Sequence, residues 1–271
     1  MGIVARSVDY LSKALGLPET DRRVKEWPFM NSPGAVLSIT FVYLLVVKHG
    51  PKWMEKRRPF EFPRLLLLYN LNMVALSFYM CYEFVYVSIV DKYQFGCQAV
   101  DTSDRPTALR MASVAWWYFF SKIIELLDTV IFILRKKYKQ VTFLHVFHHS
   151  TMVCCCWITA KYMPGGEKFV PGSINCFIHV FMYLYYGLAA LGPSIQKYLW
   201  WKKYLTKLQI IQFVIVVVHA AYSLTLEPCD FPYSINVFMI VYAGFLLMLF
   251  ARFYRQSYIK HSKLSEFSKG D

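Results

Sequence analysis

Seven long apolar stretches succeed one another along the chain, at 31–48, 65–90, 108–134, 141–161, 169–191, 204–226 and 233–256. Each approaches the length that carries a helix across a hydrocarbon core. None sustains the strict alternation of a half-buried strand. With no water inside a bilayer to satisfy open backbone groups, the stretches must be helical. The pattern predicts an all-α integral membrane protein with seven transmembrane helices. They form one membrane domain over 1–271, with the helical core at 31–256. The polar ends, 1–28 and 258–271, are expected to be flexible or surface-bound. The first 30 residues show no apolar run of signal-peptide type, so no cleavable leader is expected. No internal repeat or second, soluble domain is visible.

Composition agrees. Hydrophobic residues make up 56% of the chain and charged residues only 17%, which a soluble domain does not match. The net charge of +13 matters through its placement. Loop 48–64 holds Lys48, Lys52, Lys56, Arg57, Arg58 and Arg64. The run "RKKYK" at 135–139, loop 192–207 and the tail are also basic. Loops 91–107 and 227–232 are acidic and loop 161–168 is nearly neutral. This alternation predicts a lumenal N-terminus and a cytosolic C-terminus, with the basic side facing anionic headgroups. Cations divided among loops in this way do not make a nucleic-acid surface. Two of the seven cysteines, Cys97 and Cys229, fall in lumenal loops. If the membrane is that of the endoplasmic reticulum, that side is oxidising and the two are expected to pair. Cys81, Cys176 and the run at 154–156 read as small packing residues.

Ionisable groups at bilayer depth cost from about 3 to more than about 10 kcal/mol, so those inside spans need partners, a wet cavity or a task. Four clusters stand out. "KIIELLDT" (122–129) places Lys122, Glu125 and Asp128 along one stripe of span 3. Lys122 and Glu125 can neutralise each other as a structural pair, which leaves Asp128 over. "HVFHH" puts His145, His148 and His149 on one face of span 4. A short loop makes spans 3 and 4 antiparallel neighbours, so Asp128 and the histidines share a depth, where a carboxylate can orient an imidazole. "NCFIHVFMYLYY" aligns Asn175, His179, Met182, Tyr183 and Tyr186 on one face of span 5. "TKLQIIQ" adds Gln209 and Gln212 on span 6, where interhelical hydrogen bonding is the plainer alternative. All four lie in the middle or cytosolic half of their spans, which one inward-facing site accommodates.

Three chemistries use such a set. A diiron or dizinc membrane oxygenase needs more histidine boxes than seven histidines supply, and the zinc-protease spacing is absent. No metal is therefore expected. A transporter would show inverted repeats or broken helices, and neither is visible. In acyl transfer, a neutral imidazole oriented by a carboxylate attacks a thioester, and nearby donors hold the developing oxyanion or enolate.

The four motifs, in this order and spacing, closely resemble the ELO family of very-long-chain fatty acid elongases, the 3-ketoacyl-CoA synthases of the endoplasmic reticulum. They match Lys-x-x-Glu-x-x-Asp-Thr, His-x-x-His-His, Asn-x-x-x-His-x-x-Met-Tyr-x-Tyr-Tyr and Thr-x-x-Gln-x-x-Gln without a departure, and the likeness runs from about residue 27 to 258. "HVFHHST" and "GPSIQKYLWWKKYL" look most like animal members that make very-long-chain products.

The resemblance implies a decarboxylative Claisen condensation of an acyl-CoA with malonyl-CoA. It implies spans 2–7 arranged as a six-helix inverted barrel around an acyl tunnel, with span 1 peripheral. Residues and resemblance together give these expectations. His148 is the nucleophile, and His145 and His149 orient, shuttle protons or bind the thioester oxygen. His179 and Asn175 promote decarboxylation, Asp128 and Glu125 set the imidazole tautomer, and Lys122 balances their charge. Gln209 and Gln212, with Tyr183 and Tyr186, line the substrate path. Lys136, Lys137, Lys202, Lys203 and Arg252 meet the CoA phosphates. No cofactor is expected beyond the two CoA substrates. Membrane lipids, a homo-oligomer and contacts with other elongation-cycle enzymes are the expected partners. Residence in the endoplasmic reticulum rests on the resemblance, because Lys269 lacks the second lysine of a retrieval signal.

Overall fold

The computed structural model describes residues 10, 12–13, 16–226 and 228–259. Among them no strand occurs, and seven helices of 20 residues or more follow in order. These are α1 (Pro33–Met54), α2 (Pro63–Val90), α3 (Pro106–Leu134), α4 (Phe143–Tyr162), α5 (Phe169–Ala190), α6 (Lys202–Ser223) and α7 (Tyr233–Tyr254). Each coincides with one apolar stretch. Proline opens α1, α2 and α3, where its missing N–H costs nothing. Lys92 and Lys136 close α2 and α3 in the left-handed conformation, with the 6→1 bonds Tyr93 N to Ser88 O and Lys137 N to Phe132 O.

Among the described residues, five segments are long and apolar enough to cross a membrane: Pro33–Met54, Pro63–Val90, Gly166–Ala190, Lys202–Ser223 and Tyr233–Ile259. The other two long helices, α3 and α4, have the length but carry the charged and imidazole side chains described below. Those polar side chains lower their hydropathy, so five of the seven long helices meet the apolar requirement for crossing a membrane.

Neighbour contacts run from α2 to α3, α4, α7, α6 and α5, and return to α2. The α2–α5 contact is the most extensive. Gly172 permits it, because a Cβ there would stand 3.0 Å from the Phe84 ring. α1 lies against α3 and α4. It continues past Pro51 to Met54, beyond the apolar stretch that predicts it, because Met54 is fully buried.

Residues 21–30 pack against the helices, where the end 1–28 is expected to be flexible or surface-bound. Val24 and Met30 are fully buried, each such side chain contributing about 1.5–3 kcal/mol. Arg23 pairs with Asp21 at 2.5 Å, both buried, and donates to the carbonyls of Ser103 (3.3 Å) and Ala108 (3.2 Å). Lys161 Nζ donates to Met30 O at 2.7 Å. Arg23 and Lys161 thus fasten the segment across the ends of α3 and α4. The tail from 260 onward, with Lys269, lies outside the described residues.

At that same end, Cys97 and Cys229 are paired with Cα atoms 5.5 Å apart. Gly166 is wedged beside them at φ +58°, where a Cβ would meet Gln98 O at 2.9 Å. The opposite end carries Lys139 and Lys202.

Candidate active site

The chamber starts from the cap of α4. Thr142 Oγ1 accepts from His145 N at 3.2 Å and fixes the first turn. His145, His148 and His149 then project from one face of the first two turns. The His145 and His149 rings stand 4.2 Å apart, and His148 packs edge-on against His149 at 5.4 Å.

α3 supplies the charged wall. Lys122 Nζ donates to Glu125 Oε1 at 2.7 Å and to Asn175 Oδ1 at 3.1 Å, and lies 4.5 Å from the Tyr118 ring centroid. Lys122 and Glu125 are each 2% exposed, so the pair is desolvated and stands only through these partners. The same Glu125 oxygen lies 3.3 Å from His179 Nδ1. Asn175 Oδ1 also accepts from Tyr118 Oη at 2.9 Å. Two donors on Oδ1 settle the amide orientation and leave its NH2 to face the cavity.

Asp128 departs from expectation. Among the described residues it reaches no histidine. Its two oxygens accept from Tyr69 Oη and Tyr183 Oη, both at 2.9 Å. The carboxylate that reaches an imidazole is Glu125, on His179. His145 is held instead by Thr129, with Oγ1 2.7 Å from Nε2. Antiparallel packing does set Asp128 and the histidines at one depth, but the tyrosines of α2 and α5 occupy the carboxylate first.

Two cavities meet at this cluster. The first, about 480 Å³, is the more polar of the two, though much of its wall is apolar, and it is bordered by Lys139 and Lys202 at the basic end. Glu125, Asp128, His145, His149 and His179 border it, as do Tyr186, Gln209 and Lys202. The second, about 210 Å³, is lined by apolar side chains such as Phe84, Met152, Phe238 and Met239, and reaches Met163 near the paired cysteines. His148, Asn175, Gln212 and Phe213 border both.

The remaining predicted residues fall outside the chamber. Tyr183 sits behind it on Asp128, and Lys122 behind Asn175. Of the five cations chosen for CoA, only Lys202 borders the cavity. Lys136 turns away and donates to Glu55 O at 3.0 Å, Lys203 lies over the Tyr204 ring, and Lys137 and Arg252 are exposed elsewhere. The left-handed φ of Lys136, 54°, swings its side chain toward α1. Lys139, from the same basic run, faces the cavity in its place. Sequence reasoning also missed Tyr118, one turn before Lys122 on the same stripe, and gave no role to Thr129, which closes the first motif beside Asp128. Tyr69 had no signal, because tyrosine recurs throughout the spans. Among the described residues, one set of three ligand-type atoms converges, on Cys97, Glu167 and Cys229, and there the two sulfurs are spent on each other.

The family model described as ELO: GNS1/SUR4 matches residues 28–266. Very long chain fatty acid elongase 4 of Homo sapiens is 49% identical over 243 residues, covering 90% of this chain and 77% of its own. Very long chain fatty acid elongase 7 of Rattus norvegicus is 45% identical over 250 residues, covering 92% and 89%. Very long chain fatty acid elongase 1 of Homo sapiens is 45% identical over 250 residues, covering 92% and 90%.

Proposed function

The chain belongs to the ELO: GNS1/SUR4 family, and from that membership we propose that it is the condensing enzyme of very-long-chain fatty acid elongation. It joins a long-chain acyl-CoA to malonyl-CoA and releases a 3-ketoacyl-CoA two carbons longer, CO2 and CoA. The observation that carries this reading is the junction of a polar chamber and an apolar cavity at His148. The thioester lies in the first and the alkyl chain in the second. From His148 to Met163 the wall follows α4 for about 22 Å at 1.5 Å per residue.

The chemistry balances in two steps. A neutral His148 nitrogen attacks the acyl carbonyl, a C–N bond forms, and the C–S bond breaks. The imidazole proton passes to the leaving thiolate, giving CoA and an acyl-imidazole. Malonyl-CoA then enters and loses CO2, and its electron pair becomes the enolate. The enolate carbon attacks the acyl carbonyl, the C–C bond forms, and the C–N pair returns to His148, which takes a proton from water. The Asn175 NH2, polarised by Lys122 behind its carbonyl, is placed to hold the oxyanion. His179, braced by Glu125, serves decarboxylation. His145 and His149 orient and shuttle protons. Tyr186, Gln209 and Gln212 line the path, and Tyr183 with Tyr69 fixes Asp128 as a brace of the wall. The reading needs no metal or cofactor.

Six helices, α2–α7, form the barrel around this path and α1 lies outside it; the closed order of neighbour contacts supports this. All seven cross the membrane of the endoplasmic reticulum as one domain, with the basic end cytosolic and the N-terminus lumenal. Cys97 and Cys229 are then a disulfide of the lumenal end. Surrounding lipids, a second copy of the chain and other enzymes of the cycle are its partners there.

Incubating the purified protein with isotopically labelled malonyl-CoA and a panel of long acyl-CoAs is expected to yield labelled 3-ketoacyl-CoA by mass. No product with any acyl chain from a folded sample overturns the reading. Lys139→Ala and Lys202→Ala are each expected to raise KM for both CoA substrates about three- to tenfold, with kcat nearly unchanged. The ratio to wild type should shrink in high salt, because these exposed charges are screened.

A further inference from the structure

One side chain reaches the histidine cluster from a helix outside the ring. Tyr43 lies on α1 and is 4% exposed. Its hydroxyl stands 3.1 Å from Thr129 Oγ1, which stands 2.7 Å from His145 Nε2. Thr129 itself is fully buried. Among the described residues the phenol oxygen has no other hydrogen-bond partner, so its single proton has one acceptor in reach. A buried phenol O–H is spent on such an acceptor. With one lone pair of Oγ1 taken, the threonine still holds its own proton, and the acceptor in line for it is His145 Nε2.

We infer that Tyr43, acting through Thr129, is a positioning residue that fixes His145 in the tautomer carrying its proton on Nδ1. The direction of the chain follows from its end. A phenol with no donor of its own to receive from gives its proton inward, and each oxygen passes the donation on. The consequence extends past His145. Its ring is 4.2 Å from His149, and His149 is packed against His148. A turn of His145 about its side chain would displace the stack that places His148 between the two cavities. This gives α1 a part in the reaction although it borders neither cavity, and it explains why a tyrosine hydroxyl is buried at the α1–α3 contact, where phenylalanine would pack as well.

The inference rests on the proposed condensation, and its test separates the two. Wild type, Tyr43→Phe, Thr129→Val and Thr129→Ser are purified as full chains and assayed with labelled malonyl-CoA and a long acyl-CoA. Tyr43→Phe is expected to lower kcat about tenfold, as orienting partners behind functional histidines do. KM for both substrates should stay within about twofold of wild type. Thr129→Val should lose at least as much, and Thr129→Ser, which keeps the hydroxyl, should recover most of it. Imidazole 15N shifts, with the His145 resonance assigned by its loss in His145→Gln, should show the Nδ1–H tautomer in wild type and a mixture in Tyr43→Phe. A Tyr43→Phe enzyme with wild-type kcat overturns the inference. So does a His145 tautomer that the substitution leaves unchanged, and this readout holds even for a protein that makes no product. A wild type without condensing activity overturns the proposed function instead.

Discussion

His148→Ala is expected to abolish condensation and to remove the covalent acyl adduct. Of the three histidines on α4, His148 alone borders both cavities. An acyl group bonded there has its carbonyl beside Asn175 and its alkyl chain already in the apolar cavity. Attack from His145 would start on the far side of His149 and draw the chain back into the polar chamber. Alanine leaves no nucleophile at the junction, and a missing nucleophile costs at least about 10⁴-fold in kcat. His145→Ala and His149→Ala remove groups that orient or move protons, for an expected loss of about 10²–10³-fold. Intact-protein mass after exposure to acyl-CoA alone separates these roles. Wild type should gain one acyl mass, the two flanking variants should gain it slowly, and His148→Ala should gain none. An adduct retained by His148→Ala would move the nucleophile to a neighbour. Condensation by wild type with no adduct would make the histidines bases in a ternary complex.

Most of this site is legible in the mid-span polar residues. An imidazole or carboxylate in an apolar helix has to find a partner, so spacing singles out Lys122, Glu125, Asn175 and His179 and pairs Lys122 with Glu125, whereas the contacts of Lys122 with Asn175 and of Glu125 with His179 come only from the packing of α3 against α5. What spacing does not decide is the choice among partners of equal reach. Asp128 lies at the depth of the histidines, yet two tyrosines hold it. Nothing in an apolar span marks Tyr69 or Tyr43 apart from any other aromatic packing residue. Which cations border the cavity is decided in another way. Adjacent lysines in "RKKYK" are equivalent by charge, and a left-handed residue at the end of α3 decides that Lys139 faces the cavity and Lys136 does not. The packing of the segment before α1 has no sequence signal, because Asp21, Arg23 and Lys161 are brought onto one another and onto three backbone carbonyls only by the fold.

Lys122→Met is expected to destabilise the fold more than any of the histidine, tyrosine or threonine substitutions above, and a second substitution is expected to reverse that without restoring activity. The thioether keeps the packing of the lysine stem but removes the ammonium. Glu125 is then a carboxylate at 2% exposure with His179 as its remaining polar partner across the helices. Breaking a buried pair from one side costs about 3–5 kcal/mol, because the remaining charge is uncompensated. For a chain of this size that lowers the thermal midpoint by on the order of 10 °C. Adding Glu125→Gln removes the second charge, and the amide still donates and accepts within the same wall. The double variant should therefore melt closer to wild type than Lys122→Met does. It should remain inactive, because His179 has lost the carboxylate that braces it and Asn175 the cation behind its carbonyl. Thermal unfolding and condensation, measured on the same detergent-purified samples, give the two readouts. If the double variant regained activity along with its midpoint, the pair would be a structural staple alone. If Lys122→Met melted like wild type, Glu125 would not be a buried charge that needs its lysine.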